Sequence, residues 1–200
     1  MSEHAEIEQP AVDDIIACCL QGDQAGYSDL YELYAAGIYR LCYSLLLNKQ
    51  DAEDVSQEAF VYAFKNLHRY DSSRASFKTW LYTITVSRCR NMYRRKRLPL
   101  VGLTQILHMN IAAPRSETPE AALARSNARD AVEGALCGLS PRLREALVLR
   151  YGHGLTYREI AEVMDCPQKT AESLVRLAHE KLRGALHTVG PALLEELLRI

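Results

Sequence analysis

Apolar residues recur at helical spacing along most of the first hundred positions. Leu30, Tyr34, Ile38, Leu41 and Leu45 lie three or four apart, the spacing that lines one face of an α-helix, and predict a helix over Ser28 to Leu47. Asp13 and Asp14 open a shorter helix that Gly22 stops, and Asn48-Lys49-Gln50 reads as a turn. A third helix is predicted from about Asp51 to Leu67, with Phe60, Ala63, Phe64 and Leu67 as its buried face. Its acids Asp51, Glu53 and Asp54 stand in the first turn, where the helix dipole favours negative charge. A polar loop, Tyr70 to Ser76, precedes a fourth helix from Phe77 to Arg97.

The period then fails. Residues 98–117 contain Pro99, Gly102 and Pro114 and read as a linker, with a short helical piece around Leu103 to Met109. Helix resumes near Pro119 and runs to about Cys137. Ser140-Pro141 is a helix start, an N-cap serine followed by proline at the first helical position. That helix is predicted to end at Gly152. Thr156 and Glu159 form a capping box ahead of the apolar run Ile160, Ala161, Val163 and Met164. Asp165-Cys166-Pro167 breaks the run, aspartate tolerating the left-handed turn needed there, and a last helix runs from about Gln168 to His187. Helix, short turn, helix is the helix-turn-helix outline; an ordinary helical hairpin gives the same outline. The expected architecture is all-α: two small helical domains (11–97 and 119–187) joined by a linker (98–118), the second a helix-turn-helix, with a C-terminal extension over 188–200.

Composition narrows the class. The chain has 200 residues, 48% hydrophobic and 24% charged, a globular mix. No apolar run approaches the ~20 residues that span a bilayer, and the acidic opening MSEHAEIEQP lacks the order of a signal peptide. These features predict a cytoplasmic protein with no membrane insertion. Six cysteines (Cys18, Cys19, Cys42, Cys89, Cys137, Cys166) form no C-x-x-C pair; they read as reduced, mostly buried thiols, and no cofactor or metal is expected.

The net charge of -1 hides a sharp sorting. Residues 1–64 carry twelve acids and two bases, and residues 65–97 carry ten bases and one acid. Charges more than a Debye length apart, about 8 Å at physiological salt, barely cancel, so two ends of opposite sign suggest two different partners. Arg88, Arg90, Arg94, Arg95, Lys96 and Arg97 place six bases within ten residues, interleaved with Phe77, Trp80, Tyr82 and Tyr93. Bases with aromatics suit single-stranded nucleic acid, cations meeting phosphates and rings meeting unstacked bases; the plainer reading is a solvated helix end with Phe77 and Trp80 in the core. Asp54, Gln57 and Glu58 fall at i, i+3 and i+4 on one helix face. That face suits docking on a basic protein surface, or serves solubility alone.

Ordered motifs settle between these readings. Asp13-Asp14 with Gly22-Asp23 and Leu30-Tyr31, then Asp51, Glu53, Asp54, Gln57, Glu58 and Phe60, then Phe77 and Trp80 ahead of a basic tail, resemble the first half of extracytoplasmic-function RNA polymerase sigma factors. Leu139, Ser140, Pro141, Arg142, Arg144 and Glu145, with Leu149-Arg150-Tyr151 and Leu155-Thr156-Tyr157, Glu159, Ile160, Ala161 and Glu162, resemble that family's fourth conserved domain. The resemblance runs from about residue 11 to 187. It implies that 11–97 is sigma domain two and 119–187 sigma domain four. It implies that Asp51, Asp54, Gln57 and Glu58 dock on the clamp helices of the largest polymerase subunit, and that the second domain meets the polymerase flap. Tyr70, Ser73, Arg74, Phe77, Trp80, Ser87 and Asn91 would capture the non-template strand of the minus-ten element. Arg88, Arg90, Arg94, Arg95, Lys96 and Arg97 would hold phosphates or duplex. Lys169, Thr170, Ser173 and Arg176 would meet the minus-thirty-five element. Promoter DNA and polymerase core are thus the implied partners, an anti-sigma factor a further one.

Two departures stand out. Glu172, Leu174, Leu177 and His179 replace usual bases of the recognition helix, and Ser87 stands where the family commonly has asparagine. Three lost phosphate contacts would flatten the salt slope by roughly 3 units, so weak or atypical minus-thirty-five recognition is expected. Leucines at 193, 194, 197 and 198 suggest that 188–200 packs on its own domain or docks a regulator. The competing functions are a stand-alone helix-turn-helix regulator or a degenerate sigma-like adaptor. An enzyme is the third, and no nucleotide loop, triad or zinc pattern supports it.

Overall fold

The computed structural model describes residues 9–97 and 132–185. The expected linker, its short helical piece and the 188–200 extension lie outside the described residues.

Every regular element among the described residues is helical, as the periodicity predicts. The first group comprises α1 (Gln9–Leu20), α2 (Gln24–Leu46), α3 (Lys49–Lys65) and α4 (Phe77–Arg97), with a 3-10 turn at Leu67–Arg69. Gly22 closes α1 at φ 97°, a backbone that L side chains rarely adopt. Asp23 then caps α2, its carboxylate accepting from the Ala25 amide at 2.9 Å, so α2 begins at Gln24, four residues before the predicted start at Ser28. Asn48 caps α3 by accepting from the Asp51 amide at 3.0 Å. The triplet read as a turn is therefore a cap and the first two residues of the helix.

Leu30, Ile38, Leu41 and Leu45 of α2 are wholly buried, each burial stabilising by about 1.5–3 kcal/mol. They meet Val55, Ala59 and Phe60 of α3 and Leu81 and Val86 of α4 in one core. On the other side of α2, Gly26 admits α1 so closely that a Cβ there would stand 2.7 Å from the Cys19 sulfur.

The second group comprises a helical segment over residues 132–137 (α5), α6 (Pro141–Leu147), a π-helical turn (Val148–Gly152), α7 (Tyr157–Met164) and α8 (Gln168–Ala185). The helix expected to run unbroken to Gly152 thus loosens to π geometry after Leu147. The capping box is complete, Thr156 and Glu159 each satisfying the other's amide. Asp165 takes the left-handed conformation at φ 51°, and α8 turns back across α7. Ala171, Val175, Ala178 and Leu182 form its buried stripe.

The two groups are not held apart. α4 packs on α7, and α2 packs on α6 and the π-helical turn, so the buried side chains form a cluster continuous across both. The cysteines divide: Cys19, Cys42 and Cys89 are buried and Cys166 half-buried, but Cys18 and Cys137 are exposed. The expectation of mostly buried thiols therefore holds for only some of them, because Cys18 falls on the outward side of α1.

Candidate functional site

The antiparallel pair α3 and α4 positions most of the predicted residues. α3 buries Ala52, Val55, Ala59 and Ala63, which turns Asp54, Gln57 and Glu58 outward, all three exposed. Val61 and Tyr62, also exposed, continue this surface. The carboxylates line a shallow groove whose far wall is Arg88, Met92 and Arg95 of α4. Asp51 lies apart from that face. It is half-buried and paired with Lys96 across the helix pair, so its charge is turned toward the chain's own basic tail.

Arg88 joins the acidic and basic surfaces. Its guanidinium lies 3.8 Å from the Glu58 carboxylate and 4.5 Å over the Tyr62 ring, a cation–π geometry. One helical step along, Thr83, Ser87 and Asn91 share a face of α4. With Tyr62, Ile84 and Arg88 they line a polar groove. Asn91 receives Arg94. Arg94, Arg95 and Lys96 are exposed, and Arg97 closes the helix.

The loop before α4 is held by short-range polar bonds. Asp71 accepts from the Ser73 hydroxyl at 2.7 Å and its amide at 3.0 Å, and these bonds hold the carboxyl below the usual range. Ser76 accepts from the Thr79 amide at 3.2 Å where α4 begins. Ser73 and Arg74 are exposed. Tyr70 is half-buried, its ring 5.5 Å from both Phe77 and Trp80. Phe77 is wholly buried. It anchors the aromatic cluster and is closed to a stacking base, while Trp80 keeps a partly open edge.

Arg90 also departs from the expectation. It points away from the Ser87 face, toward the second group, because α4 is packed on both sides. Its Nη2 donates to Glu145 at 2.7 Å and its Nε donates at 3.1 Å. The sequence treats Glu145 and its neighbour Arg144 only as motif letters. In the structure Arg144, 6% exposed, donates to the Leu136 and Leu45 carbonyls at 2.8 Å and to the Tyr93 hydroxyl at 2.9 Å. Burial raises the Tyr93 pKa to about 12, so the hydroxyl stays protonated and donates to the same Leu45 carbonyl. Nearby, Tyr82 and the His153 Nδ1 share a hydrogen bond of 3.0 Å. Two charged residues in an apolar run, Leu143 to Leu149, are the one sequence sign of this contact.

On α8, Lys169, Ser173 and Arg176 are exposed and Thr170 half-exposed. Arg176 pairs with Glu180 at 3.0 Å, and Glu172 accepts from Gln168 at 3.0 Å. Leu177 is 42% exposed, while Leu174 leans on the core. Among the described residues no cluster of His, Cys, Asp and Glu suited to a metal ion occurs. Nor is any helix among them long and apolar enough to cross a membrane.

Two family models match the chain, Sigma-70 region 2 over residues 30–98, from within α2 through α4, and Sigma-70 region 4 over residues 129–182, the helix-turn-helix group. The chain is 33% identical over 172 residues to the RNA polymerase sigma-H factor of Pseudomonas aeruginosa, covering 83% of this chain and 89% of that one. The chain belongs to the extracytoplasmic-function RNA polymerase sigma factors. The ECF sigma-E factor of Escherichia coli (strain K12) is 32% identical over 168 residues, 81% of this chain and 87% of its own. This sigma factor accordingly binds RNA polymerase and directs transcription initiation at promoters. Its fold is also that of CnrH, solved in complex with the cytosolic domain of CnrY, at TM-score 0.64 and 23% identity over 88% of this chain and 97% of that one. RpoE of Bartonella quintana, solved with the anti-sigma factor NepR, gives TM-score 0.65 at 20% identity over 82% and 98% of the two chains.

Proposed function

We propose that Asp54, Gln57 and Glu58 dock this sigma factor on the clamp helices of the largest polymerase subunit. The adjoining groove of Ser87, Arg88 and Asn91, with the loop from Tyr70 to Ser76, takes the opened minus-ten strand. Arg94, Arg95, Lys96 and Arg97 hold phosphates beside it. The observation that carries this reading is the juxtaposition at α3 and α4. An exposed carboxylate face and an exposed basic face share one helix pair, with Arg88 between them. Phosphate contacts supply affinity and base contacts supply sequence choice.

Lys169, Thr170, Ser173 and Arg176 of α8 meet the minus-thirty-five duplex, and the same group contacts the polymerase flap. Ion pairing within α8 and the exposed Leu177 support an atypical duplex contact. The protein works in the cytoplasm. The complex of the similarly folded RpoE with the anti-sigma factor NepR makes such an inhibitor a fitting partner here.

The test is copurification with polymerase core. The variant D54K/E58K is expected to lose core binding while remaining helical; retention of core by that variant would overturn the docking face. The variant R94A/R95A should keep core and lose run-off transcription on genomic promoter fragments.

A further inference from the structure

We propose that Glu172 is a specificity-determining residue of α8, its carboxylate accepting from the exocyclic amine of one cytosine in the minus-thirty-five duplex. The inference deepens the duplex-contact reading of α8 above and rests on it.

The position follows from the helix. Ala171, Val175, Ala178 and Leu182 are buried, which turns Lys169, Glu172, Ser173 and Arg176 outward, all four exposed. They stand at i, i+3, i+4 and i+7 and so share one face. Glu172 is the fifth residue of α8 (Gln168–Ala185), in the N-terminal part that a helix-turn-helix presents to base edges. If Lys169 and Arg176 reach the duplex, Glu172 enters the groove between them.

Glu172 is partnered differently from the acids near it. Glu162 pairs with Arg158 at 3.3 Å and Glu180 with Arg176 at 3.0 Å, each four positions away. Arg176 stands four positions from Glu172 as well, yet it is turned to Glu180. Glu172 accepts instead, through Oε1, from the neutral Gln168 amide at 3.0 Å. Its other oxygen, Oε2, has no hydrogen bond or ion pair among the described residues. The reading face thus carries a carboxylate fixed by one oxygen and open at the other.

Charge limits what that oxygen can meet. A carboxylate only accepts, and so do phosphate oxygens, guanine O6 and N7, and thymine O4. The donors on the major-groove edge are the amines of cytosine and adenine. Adenine sets its N7 acceptor beside the amine, where it repels a carboxylate; cytosine sets only a C–H there. Cytosine is therefore the base that Glu172 accepts best. Guanine and thymine leave a desolvated charge without a donor, which costs more than a neutral hydrogen bond returns. An amide in the same place changes the choice, because glutamine pairs with adenine through N6 and N7 together.

The experiment uses the full chain bound to polymerase core and a promoter fragment with its minus-thirty-five positions randomised, the bound fragments being sequenced. Wild type is expected to select cytosine at one position on one strand, by roughly 5- to 150-fold over guanine or thymine, the range of a good base contact. E172Q should move that position to adenine and E172A should relax it, with the other positions unchanged. A second measurement keeps the wild-type chain. On the selected fragment, that cytosine is replaced by a pyrimidin-2-one, which lacks the N4 amine; wild type should lose about tenfold more affinity than E172A loses. The same base selected by wild type, E172Q and E172A, or an equal loss on removing the amine, overturns the role of Glu172 and leaves the duplex contact standing. Selection at no minus-thirty-five position by wild type, with the fragment still bound, defeats the duplex contact itself and the role of Glu172 with it.

Discussion

Arg90 and Glu145 stand 55 positions apart in the chain and meet side-on, the guanidinium Nε and Nη2 both turned to one carboxylate. The carboxylate is nearly inaccessible, while a third of the arginine side chain meets solvent. Loss of the arginine strands the better-buried partner, which costs more than loss of both charges together. R90M is expected to destabilise the protein by about 2–4 kcal/mol, and R90M/E145Q by less than R90M alone. A double-mutant cycle on thermal unfolding midpoints measures this, at roughly 2–4 °C per kcal/mol for a chain of this size.

His153 gives the folded protein a pH dependence. Burial, then Lys78, then Arg40, hold its pKa down at about 3, against 6.5 for the free side chain; Tyr82 is its hydrogen-bonding neighbour. The folded protein therefore carries this imidazole neutral where the unfolded chain protonates it. Its stabilising effect is complete above pH 6.5 and is lost progressively as pH falls below that value, by at most ~1.4 kcal/mol per pH unit. Melting temperatures taken from pH 8 to pH 5 are expected to drop, and H153Q should flatten that drop.

Arg94 and Arg95 are exposed at the end of α4, where the proposed reading has each neutralise a strand phosphate. Their joint replacement by alanine should reduce the salt dependence of single-strand binding by roughly 1.4 log units per log unit of salt, ~0.7 for each contact. Titrations at several salt concentrations, with core present, read this directly.

Leu177 occupies an exposed position on α8, the helix proposed to meet the minus-thirty-five duplex. L177R restores a cation there and is expected to strengthen duplex binding at low salt, steepening the salt slope by about 0.9. An unchanged slope would show that this stretch of α8 does not approach DNA.

Much of the fold is legible from periodicity, and the exceptions have definite causes. α4 runs over the span its pattern predicts because the polar loop and Ser76 mark its start. α2 and α3 begin earlier than predicted because Asp23 and Asn48 act as caps through bonds of 2.9 and 3.0 Å, and an apolar stripe says nothing of the polar first turn before it. The π-helical turn after Leu147 has no sequence mark, since it changes only which carbonyl each amide meets. Exposed site residues such as Asp54, Glu58 and Ser87 are readable because helical spacing fixes the face they share. Arg90 is not, because spacing identifies a face but not what packs against it; for Phe77 the plainer of the two readings, a core ring, is the one that holds.

Arg144 is anchored differently from its neighbour. Glu145 depends on a single side chain across the seam, which one mutation can delete. Four of the five acceptors around Arg144 are main-chain oxygens, those of Leu136, Leu45, Cys137 and Leu139. Every residue type supplies such an oxygen, so α2 can drift through many surface sequences and still offer the same anchorage. Evolution can retune how tightly the two groups hold each other by altering Arg90, Glu145 or His153, while the anchorage at Arg144 stays written in the backbone.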